Sequence, residues 1–150
     1  MPRSSGGRST GVPMIAGVLN EKQRAFLEGP RFGALATVAP DGRPHLTVMW
    51  YLLDGDEIMF NTARERRKPS DLTRDPRVSL LVFDGYRFVR VSGSARESTT
   101  GESALAEIHR LAVRYDGEAS AARAMERFRT QERVSYRFSI RHVYSSADLR

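Results

Sequence analysis

The residues with the most evident chemistry form a basic turn between a strand-like segment and a short helix. Segment 57–77 reads EIMFNTARERRKPSDLTRDPR and holds four cations in its turn, Arg64, Arg66, Arg67 and Lys68. Pro69 suits the first turn of a helix, and Pro76 suits a position just past its end. A helix start offers free backbone N–H groups and a positive dipole, so this segment is typical of an anion site. A solvated connector in an arginine-rich protein would give the same charge run.

Other kinds of chemistry are not indicated. The three histidines, His45, His109 and His142, are far apart and have no partner at ligand spacing, so no metal site is predicted. The chain contains no cysteine, which excludes a thiolate ligand and a cysteine nucleophile. Neither a nucleophile elbow nor a phosphate-binding P-loop motif occurs. The sequence therefore names no catalytic residue.

The overall charge points to a negatively charged partner. The 150 residues carry a formal charge of +6 with a pI near 10.3, which favours nucleic acid, an acidic surface or a phosphorylated cofactor. Trp50, Tyr86 and Phe88 fall in strand-like segments, so a basic nucleic-acid-binding module is one alternative. Acidic residues interrupt the basic ones, however, and no long basic stripe forms. We therefore expect no nucleic-acid partner.

The pattern of apolar residues and turns predicts a mainly β domain with helices at three points, the last of which holds two consecutive helices. Asn20 begins a helix with Gln23 in a capping-box position, and Gly29 ends it. Further helices are predicted after the basic turn, over Ser103–Tyr115 and over Ala119–Thr130. Six strands are predicted: Phe32–Ala39, His45–Leu53, Glu57–Thr62, Val78–Phe83, Tyr86–Ala95 and Val134–Tyr144. The first three should form an antiparallel meander, the fourth should be buried on both faces, and the set should make a small barrel.

The N-terminal segment differs in composition from the rest. Residues 1–18 are rich in Gly, Ser, Arg and Pro and are predicted to be a disordered tail, with one domain over residues 19–150. Met14 is a second possible start. No run approaches the about 20 apolar residues of a membrane span. The absence of cysteine fits a cytoplasmic protein.

The central part of the chain resembles a known family. ATVAPDGRPH, TARERRKPSDLTRDPRV and the final HVY are similar to the split-barrel flavin-binding family typified by pyridoxamine 5′-phosphate oxidase. The resemblance is closer to the actinobacterial branch that uses the deazaflavin coenzyme F-420, and it covers about residues 20–145. It implies a six-stranded antiparallel split β-barrel with flanking helices. It also implies a homodimer with the cofactor in a groove between the subunits.

The resemblance also implies which residues bind the cofactor. Arg66 and Lys68 match the positions that hold the phosphate, and the edge of the basic groove would suit an acidic tail. Val48 to Tyr51 match the strand that runs along the tricyclic ring. His142 to Tyr144 match a C-terminal segment that completes the site. The full candidate set is Val48, Trp50, Tyr51, Asn61, Thr62, Arg64, Arg66, Arg67, Lys68, His142 and Tyr144.

The expected function follows from the cofactor. Reduced F-420 donates a hydride, so the protein must hold the ring against a small organic substrate and exclude water, without an acid–base pair of its own. An F-420-dependent reductase is the favoured hypothesis. An FMN-binding oxidase or reductase of the pyridoxamine 5′-phosphate oxidase type is the alternative, because FMN has a similar ring and a phosphate.

Overall fold

The computed structural model describes residues 17–150, so the predicted disordered tail lies outside it except for its last two positions. The described chain contains four α-helices and eight strands, followed by a short 3₁₀ turn at Ala147–Leu149. The helices are α1 (Glu21–Glu28), α2 (Arg67–Arg74), α3 (Gly101–Asp116) and α4 (Glu118–Phe128). The strands are β1 (Gly33–Val38), β2 (Pro44–Met49), β3 (Leu52–Asp54), β4 (Glu57–Ala63), β5 (Arg77–Asp84), β6 (Arg87–Thr100), β7 (Arg133–Ser139) and β8 (His142–Ser145).

The strands form one antiparallel sheet in the order β2-β1-β5-β6-β7-β4-β3, and β8 pairs with β6. The long strand β6 joins the two halves, since residues 87–94 pair with β5 and residues 95–100 pair with β7. Strands β2 and β3 lie at opposite ends of this order, although only Trp50 and Tyr51 separate them in the chain. These two residues therefore carry the backbone from one half of the sheet to the other.

The predicted mainly β architecture with flanking helices is confirmed, and the strand count is corrected from six to eight. The predicted strand His45–Leu53 divides at Trp50, where the backbone leaves β1 and joins β4. The predicted strand Val134–Tyr144 also divides. There the N–H of Ile140 donates to the carbonyl of Asp56, and the next N–H, that of Arg141, donates to Ser92. In both places the chain changes partner strands.

Two further expectations need correction. The two predicted antiparallel hairpins are present as β1–β2 and β3–β4, but the first three predicted strands do not form one continuous meander, because the chain changes to the other half of the sheet between β2 and β3. Strand β5 is not buried on both faces: Val78, Leu80 and Val82 are buried, but Phe83 is exposed and Leu81 is only half-buried. Side chains of this strand alternate between a buried and a more exposed face, as in any strand with one face on the core. Because the residues on both faces are apolar, the sequence did not show this alternation.

Two hydrophobic clusters stabilise the described fold. The larger fills the space inside the sheet with residues such as Leu35, Phe60 and Phe138. The smaller lies where α3 and α4 cover the other face of β4, around Met59 and Leu111. Because strand side chains alternate between faces, β4 contributes to both clusters and is buried from Ile58 to Ala63. This strand leads directly to the basic turn.

The helix ends agree with their sequence signals. The Asn20 side chain accepts a hydrogen bond from the Gln23 N–H at 2.7 Å, and the Gln23 side chain accepts from the Asn20 N–H at 3.0 Å. This reciprocal pair is the predicted capping box. Helix α2 follows the basic turn with Pro69 in its first turn and Pro76 just beyond its end, as predicted.

Candidate functional site

A cavity of about 340 Å³ opens where the end of β4 meets the start of α2. Its wall is formed by residues from five regions of the chain, and they include six of the eleven candidate positions. Strand β4 supplies Asn61 and Thr62, and the turn and α2 supply Arg66 and Lys68. The remaining lining residues are Phe32, Thr47, Val48, Met49, Trp50, Ile108, Arg127, Phe128 and Arg133.

The lining contains four cations and no carboxylate. Lys68 is only 5% exposed, and within residues 17–150 its ammonium group makes no hydrogen bond or ion pair. Burial lowers the pKa of Lys68, and repulsion from Arg66 and Arg133 lowers it further, against the opposing effect of Asp71. A buried ammonium without a partner is costly, so this cavity is suited to an anionic ligand.

The start of helix α2 strengthens the same electrostatic field. Arg66 is the N-cap residue, and no side chain of the described chain caps the helix there. The first backbone N–H groups of the helix and its dipole therefore add to the charges of Arg66 and Lys68. Such a combination is the common way in which proteins bind a phosphate group.

Helix α2 is anchored from behind by a buried carboxylate. Asp71 is 2% exposed, and its Oδ2 lies 3.2 Å from both Thr37 Oγ1 on β1 and His45 Nδ1 on β2. Its Oδ1 accepts a hydrogen bond from Arg74 at 3.0 Å. Burial alone would raise the pKa of Asp71, but these hydrogen bonds outweigh it and hold the pKa below its ordinary value. Asp71 thus fixes the helix, and Lys68 one turn earlier, against the sheet.

An aromatic stack contributes two of its three rings to the cavity lining. The ring of Tyr115 lies between Trp50, with centroids 5.4 Å apart, and Phe32, with centroids 5.6 Å apart. The rings are parallel within 8°. The Tyr115 hydroxyl donates to the Arg31 carbonyl at 2.7 Å, which fixes the middle ring. A flat conjugated ring entering the cavity would meet Phe32 and Trp50 as preformed aromatic surfaces.

The other candidate positions lie outside this cavity. Tyr51 is fully buried beneath it, and its hydroxyl donates to the Leu27 carbonyl at 2.7 Å. The Arg64 guanidinium forms a bidentate pair with Glu97 at 2.8 and 3.0 Å and also contacts Glu132 at 3.4 Å. Arg67 is exposed and lines a separate surface depression with His45.

The C-terminal candidates lie on β8, on another part of the surface. His142 lines a second cavity with Arg77, Ser92 and Arg141, and this cavity shares no residue with the first. Tyr144 is 49% exposed and packs beside Phe88. One copy of the chain therefore does not bring these two residues together with Lys68.

Sequence reasoning missed the contribution of the α4–β7 region. Arg133, at the start of β7, is 7% exposed, and its Nε donates to Asn61 Oδ1 at 2.9 Å. Arg127 and Phe128 line the cavity from the end of α4. The antiparallel register places Arg133 opposite Ala63, next to the basic turn. Only the pairing of β7 with β4 could have indicated that these residues lie beside the basic turn. A single sequence does not reveal which strands pair.

The described chain offers no alternative centre. Within residues 17–150 no three His, Asp or Glu side chains are grouped as metal ligands. Among the described helices, none has the length and hydropathy of a membrane-spanning segment. Arginines away from the cavity are commonly paired, such as Arg24 with Asp56 and Arg96 with Glu57. They therefore leave less free positive charge for a nucleic-acid backbone than the composition suggests.

The family follows from comparison with known proteins. A family model described as pyridoxamine 5′-phosphate oxidase matches residues 19–146. The chain belongs to the pyridoxamine 5′-phosphate oxidase family. The resemblance seen in the sequence is thereby confirmed at the level of the family, and an oxidoreductase-like protein is the coarse class that membership indicates.

Solved structures of similar fold include a relevant enzyme. An F-420 reductase is 28% identical, with a TM-score of 0.67 over 84% of this chain and 98% of that one. A conserved hypothetical protein from Mycobacterium tuberculosis is 35% identical, with a TM-score of 0.66 over 85% of this chain and 84% of the other. The pyridoxamine 5′-phosphate oxidase fold is thus shared over nearly the whole of the described chain.

A curated relative is similar over a shorter stretch. The pyridoxine/pyridoxamine 5′-phosphate oxidase of Rubrobacter xylanophilus is 40% identical over 86 residues, which is 55% of this chain and 40% of the relative. The match thus covers less than half of that enzyme's length. Family membership alone does not transfer its substrate.

Proposed function

We propose that this protein is a coenzyme F-420-dependent reductase that transfers a hydride between the deazaflavin and a small organic substrate. The observation that carries the proposal is Lys68, a residue only 5% exposed whose ammonium group has no partner among residues 17–150 and lines a cavity with three further cations. The similarity to an F-420 reductase over 98% of that chain supports the choice of cofactor.

Each part of the cavity has a distinct role in this proposal. Arg66, Lys68 and the start of α2 bind the cofactor phosphate, and Asn61 and Thr62 form the floor beside it. Val48 and Trp50 border the ring, with Phe32 near the entrance. The chemistry supplied by the bound cofactor is hydride donation, so the protein positions the ring and excludes water. The buried Tyr51 stabilises the link between β2 and β3.

The proposal includes a homodimer. His142 and Tyr144 lie apart from the cavity within one copy, so in this proposal they reach the cofactor from a second copy of the chain. The outward face of the edge strand β2 is also apolar, with Leu46 64% exposed and Val48 74% exposed. Exposed aliphatic residues beside a binding cavity are a common property of subunit interfaces.

The charges expected to meet the acidic tail of F-420 differ from those named from the sequence. Arg64 is neutralised by Glu97 and Glu132, and Arg67 faces another depression. In our proposal these two residues flank the site, and Arg66 and Lys68 bind the phosphate.

The alternative is that FMN occupies the same cavity, because its ring and phosphate are similar to those of F-420. Purification and a competition titration separate the two. A protein produced in a host without F-420 should purify colourless and should bind added F-420 in preference to FMN, as measured by cofactor fluorescence. A yellow protein that retains FMN, or one that prefers FMN in the competition, would replace the reductase proposal with the FMN alternative.

A further inference from the structure

Two of the four cations in the cavity have no role in the proposed phosphate site. Arg127 lies at the end of α4 and Arg133 at the start of β7, and both guanidinium groups pack over the ring of Phe128. The guanidinium carbons lie 4.9 Å (Arg127) and 4.8 Å (Arg133) from the ring centroid. Cation–π contact of this kind restricts the orientation of both side chains. Arg127 is exposed at the cavity rim, whereas Arg133 is buried.

The Arg133 side chain is held in one orientation by neutral acceptors. Its Nε donates to Asn61 Oδ1 at 2.9 Å, and its Nη1 donates to Gln131 Oε1 at 2.7 Å. The Asn61 amide is itself fixed, because its Nδ2 donates to the Ala104 carbonyl at 3.0 Å and to Ser135 Oγ at 2.8 Å. Among the described residues, Nη2 of Arg133 has no protein acceptor, so this nitrogen is available to a ligand.

The charge of Arg133 is also not neutralised. No carboxylate of the described chain lies within ion-pair distance of it. The half-buried Arg137 on the same strand differs, because it contacts Asp54 at 2.9 Å and Glu107 at 3.4 Å. Burial and the repulsion of Arg66 and Arg127 lower the pKa of Arg133 to about 10, despite the opposing effect of Glu65.

One phosphate group does not balance the four cations. A phosphate monoester such as that of FMN carries about −1.5 to −2 charges at neutral pH, and the phosphodiester of F-420 carries about −1. Arg66 and Lys68 are sufficient for that charge, which leaves Arg127 and Arg133 without a counter-ion. Arg133 is buried, and a buried guanidinium group without a counter-ion is costly, so a fold that keeps Arg133 beside a cavity is suited to a second anion.

We infer that Arg127 and Arg133, stacked on Phe128, form a second anion subsite that takes a carboxylate or phosphate group distinct from the cofactor phosphate. The inference rests on the proposed function, because it assigns Arg66 and Lys68 to that phosphate. The second group belongs either to the acidic tail of the cofactor or to the substrate. Both sources present the same chemistry to the planar guanidinium groups.

The test compares three forms of the full-length protein: wild type, Arg127→Gln, and Arg123→Gln as a control. Arg123 lies on the same helix, is exposed and, among residues 17–150, hydrogen-bonds only to Ser120, so its replacement makes the same charge change away from the cavity. Affinity is measured by fluorescence titration with F-420 and with its tail-less phospholactate form. Inorganic phosphate is then titrated into the protein loaded with the tail-less form, and thermal stability is followed.

If an acidic group of the cofactor occupies the subsite, Arg127→Gln lowers the affinity for F-420 about tenfold, the loss typical of one charge-assisted hydrogen bond. The tail-less form is then unchanged if the glutamates bind there, and is weakened equally if its lactate carboxylate does. If a substrate anion occupies it, both cofactor affinities stay unchanged, and phosphate stabilises the loaded wild type but not loaded Arg127→Gln. In each case Arg123→Gln behaves as wild type. The subsite is refuted if Arg127→Gln matches wild type in all three titrations.

A second variant addresses the buried member of the pair. Arg133→Lys keeps the charge but loses the fork that contacts Asn61 and Gln131, and it should lower the same affinity as Arg127→Gln. A thermal melt establishes whether this variant is folded before titration. If wild type binds no deazaflavin at all, the proposed cofactor is wrong, and the phosphate titration of unloaded wild type and Arg127→Gln still decides whether the subsite exists.

Discussion

Lys68 and Arg133 lie on the same cavity, each less than a tenth exposed, and their like charges repel. Burial is the main cause of the lowered Lys68 pKa, and repulsion from Arg66 and Arg133 adds to it. The two residues come from α2 and β7, and the register of β4 with β7 brings them together. The unliganded protein is therefore destabilised at the place where it is best prepared to bind an anion.

The first prediction is that Lys68→Met makes the unliganded protein more stable and weakens cofactor binding. Replacing a buried, unpaired cation by an apolar side chain of similar length should raise the free energy of unfolding by about 1–3 kcal/mol. Loss of the charge-assisted contact should weaken cofactor binding by about 1.5–3 kcal/mol. Denaturant unfolding and fluorescence titration measure the two effects.

Lys22→Met is the matched control, because Lys22 is the other lysine of the chain and is exposed on α1. It should change neither quantity by more than about 0.5 kcal/mol. Unaltered cofactor affinity in Lys68→Met would remove the phosphate site from this turn, and a loss of stability would show that the ammonium has a partner.

The second prediction concerns pH. The pKa of Lys68 is lower in the folded protein than its ordinary value of 10.5, so near that range the unfolded chain binds more protons. The free energy of unfolding of the unliganded protein should therefore rise with pH between the lowered value and 10.5. Lys68→Met should not show this rise. The difference in the free energy of unfolding between wild type and Lys68→Met should therefore shrink as the pH rises. A difference that grows with pH would contradict the assignment.

Local signals in the sequence were sufficient for part of this structure. The capping box at Asn20 and Gln23 and the position of Pro69 in α2 depend on neighbours within a few residues, so they could be predicted. The strand that feeds the basic turn was predicted for the same reason. These features place Arg66 and Lys68 correctly at a strand-to-helix junction.

Contacts between distant parts of the chain could not be predicted in this way. The crossing at Trp50 and Tyr51 depends on which strands pair, and so does the position of Arg133 opposite Ala63. Arg64 looked like a free cation because its partner Glu97 lies on another strand. A single sequence shows the charges and the strands, but it does not show which distant residues they meet.

The third prediction is that Asp71 maintains the site from behind. Asp71→Ala removes the buried acceptor shared by Thr37, His45 and Arg74, and it should lower the free energy of unfolding by about 2–4 kcal/mol. Cofactor affinity should fall as well, because Lys68 lies one turn away on the same helix. Denaturant unfolding at neutral pH measures the first effect.

The pH dependence of this effect has the opposite sign to that of Lys68. The pKa of Asp71 is held below its ordinary value of 3.8, so its contribution is complete above that value and is lost as the pH falls through the lowered one. The difference between wild type and Asp71→Ala should therefore shrink in acid. Asp148→Ala, which breaks an exposed pair with Arg87, should leave the free energy of unfolding nearly unchanged. Equal costs for the two variants would mean that Asp71 does not anchor α2.

The fourth prediction tests the homodimer through Leu46, which is 64% exposed on the outward face of edge strand β2 and does not line the cavity. In the proposed dimer this face is covered, so Leu46→Asp should bury an unpaired charge at the interface and shift the protein from twice the 16.9 kDa chain mass towards the monomer. Val18→Asp introduces the same charge at an exposed aliphatic position before α1 and serves as the control. Light scattering at micromolar concentration gives the masses.

Because His142 and Tyr144 reach the cofactor only from a second copy in our proposal, Leu46→Asp should also lose cofactor affinity. A wild type that is monomeric and still binds the cofactor tightly would refute both the dimer and the shared site.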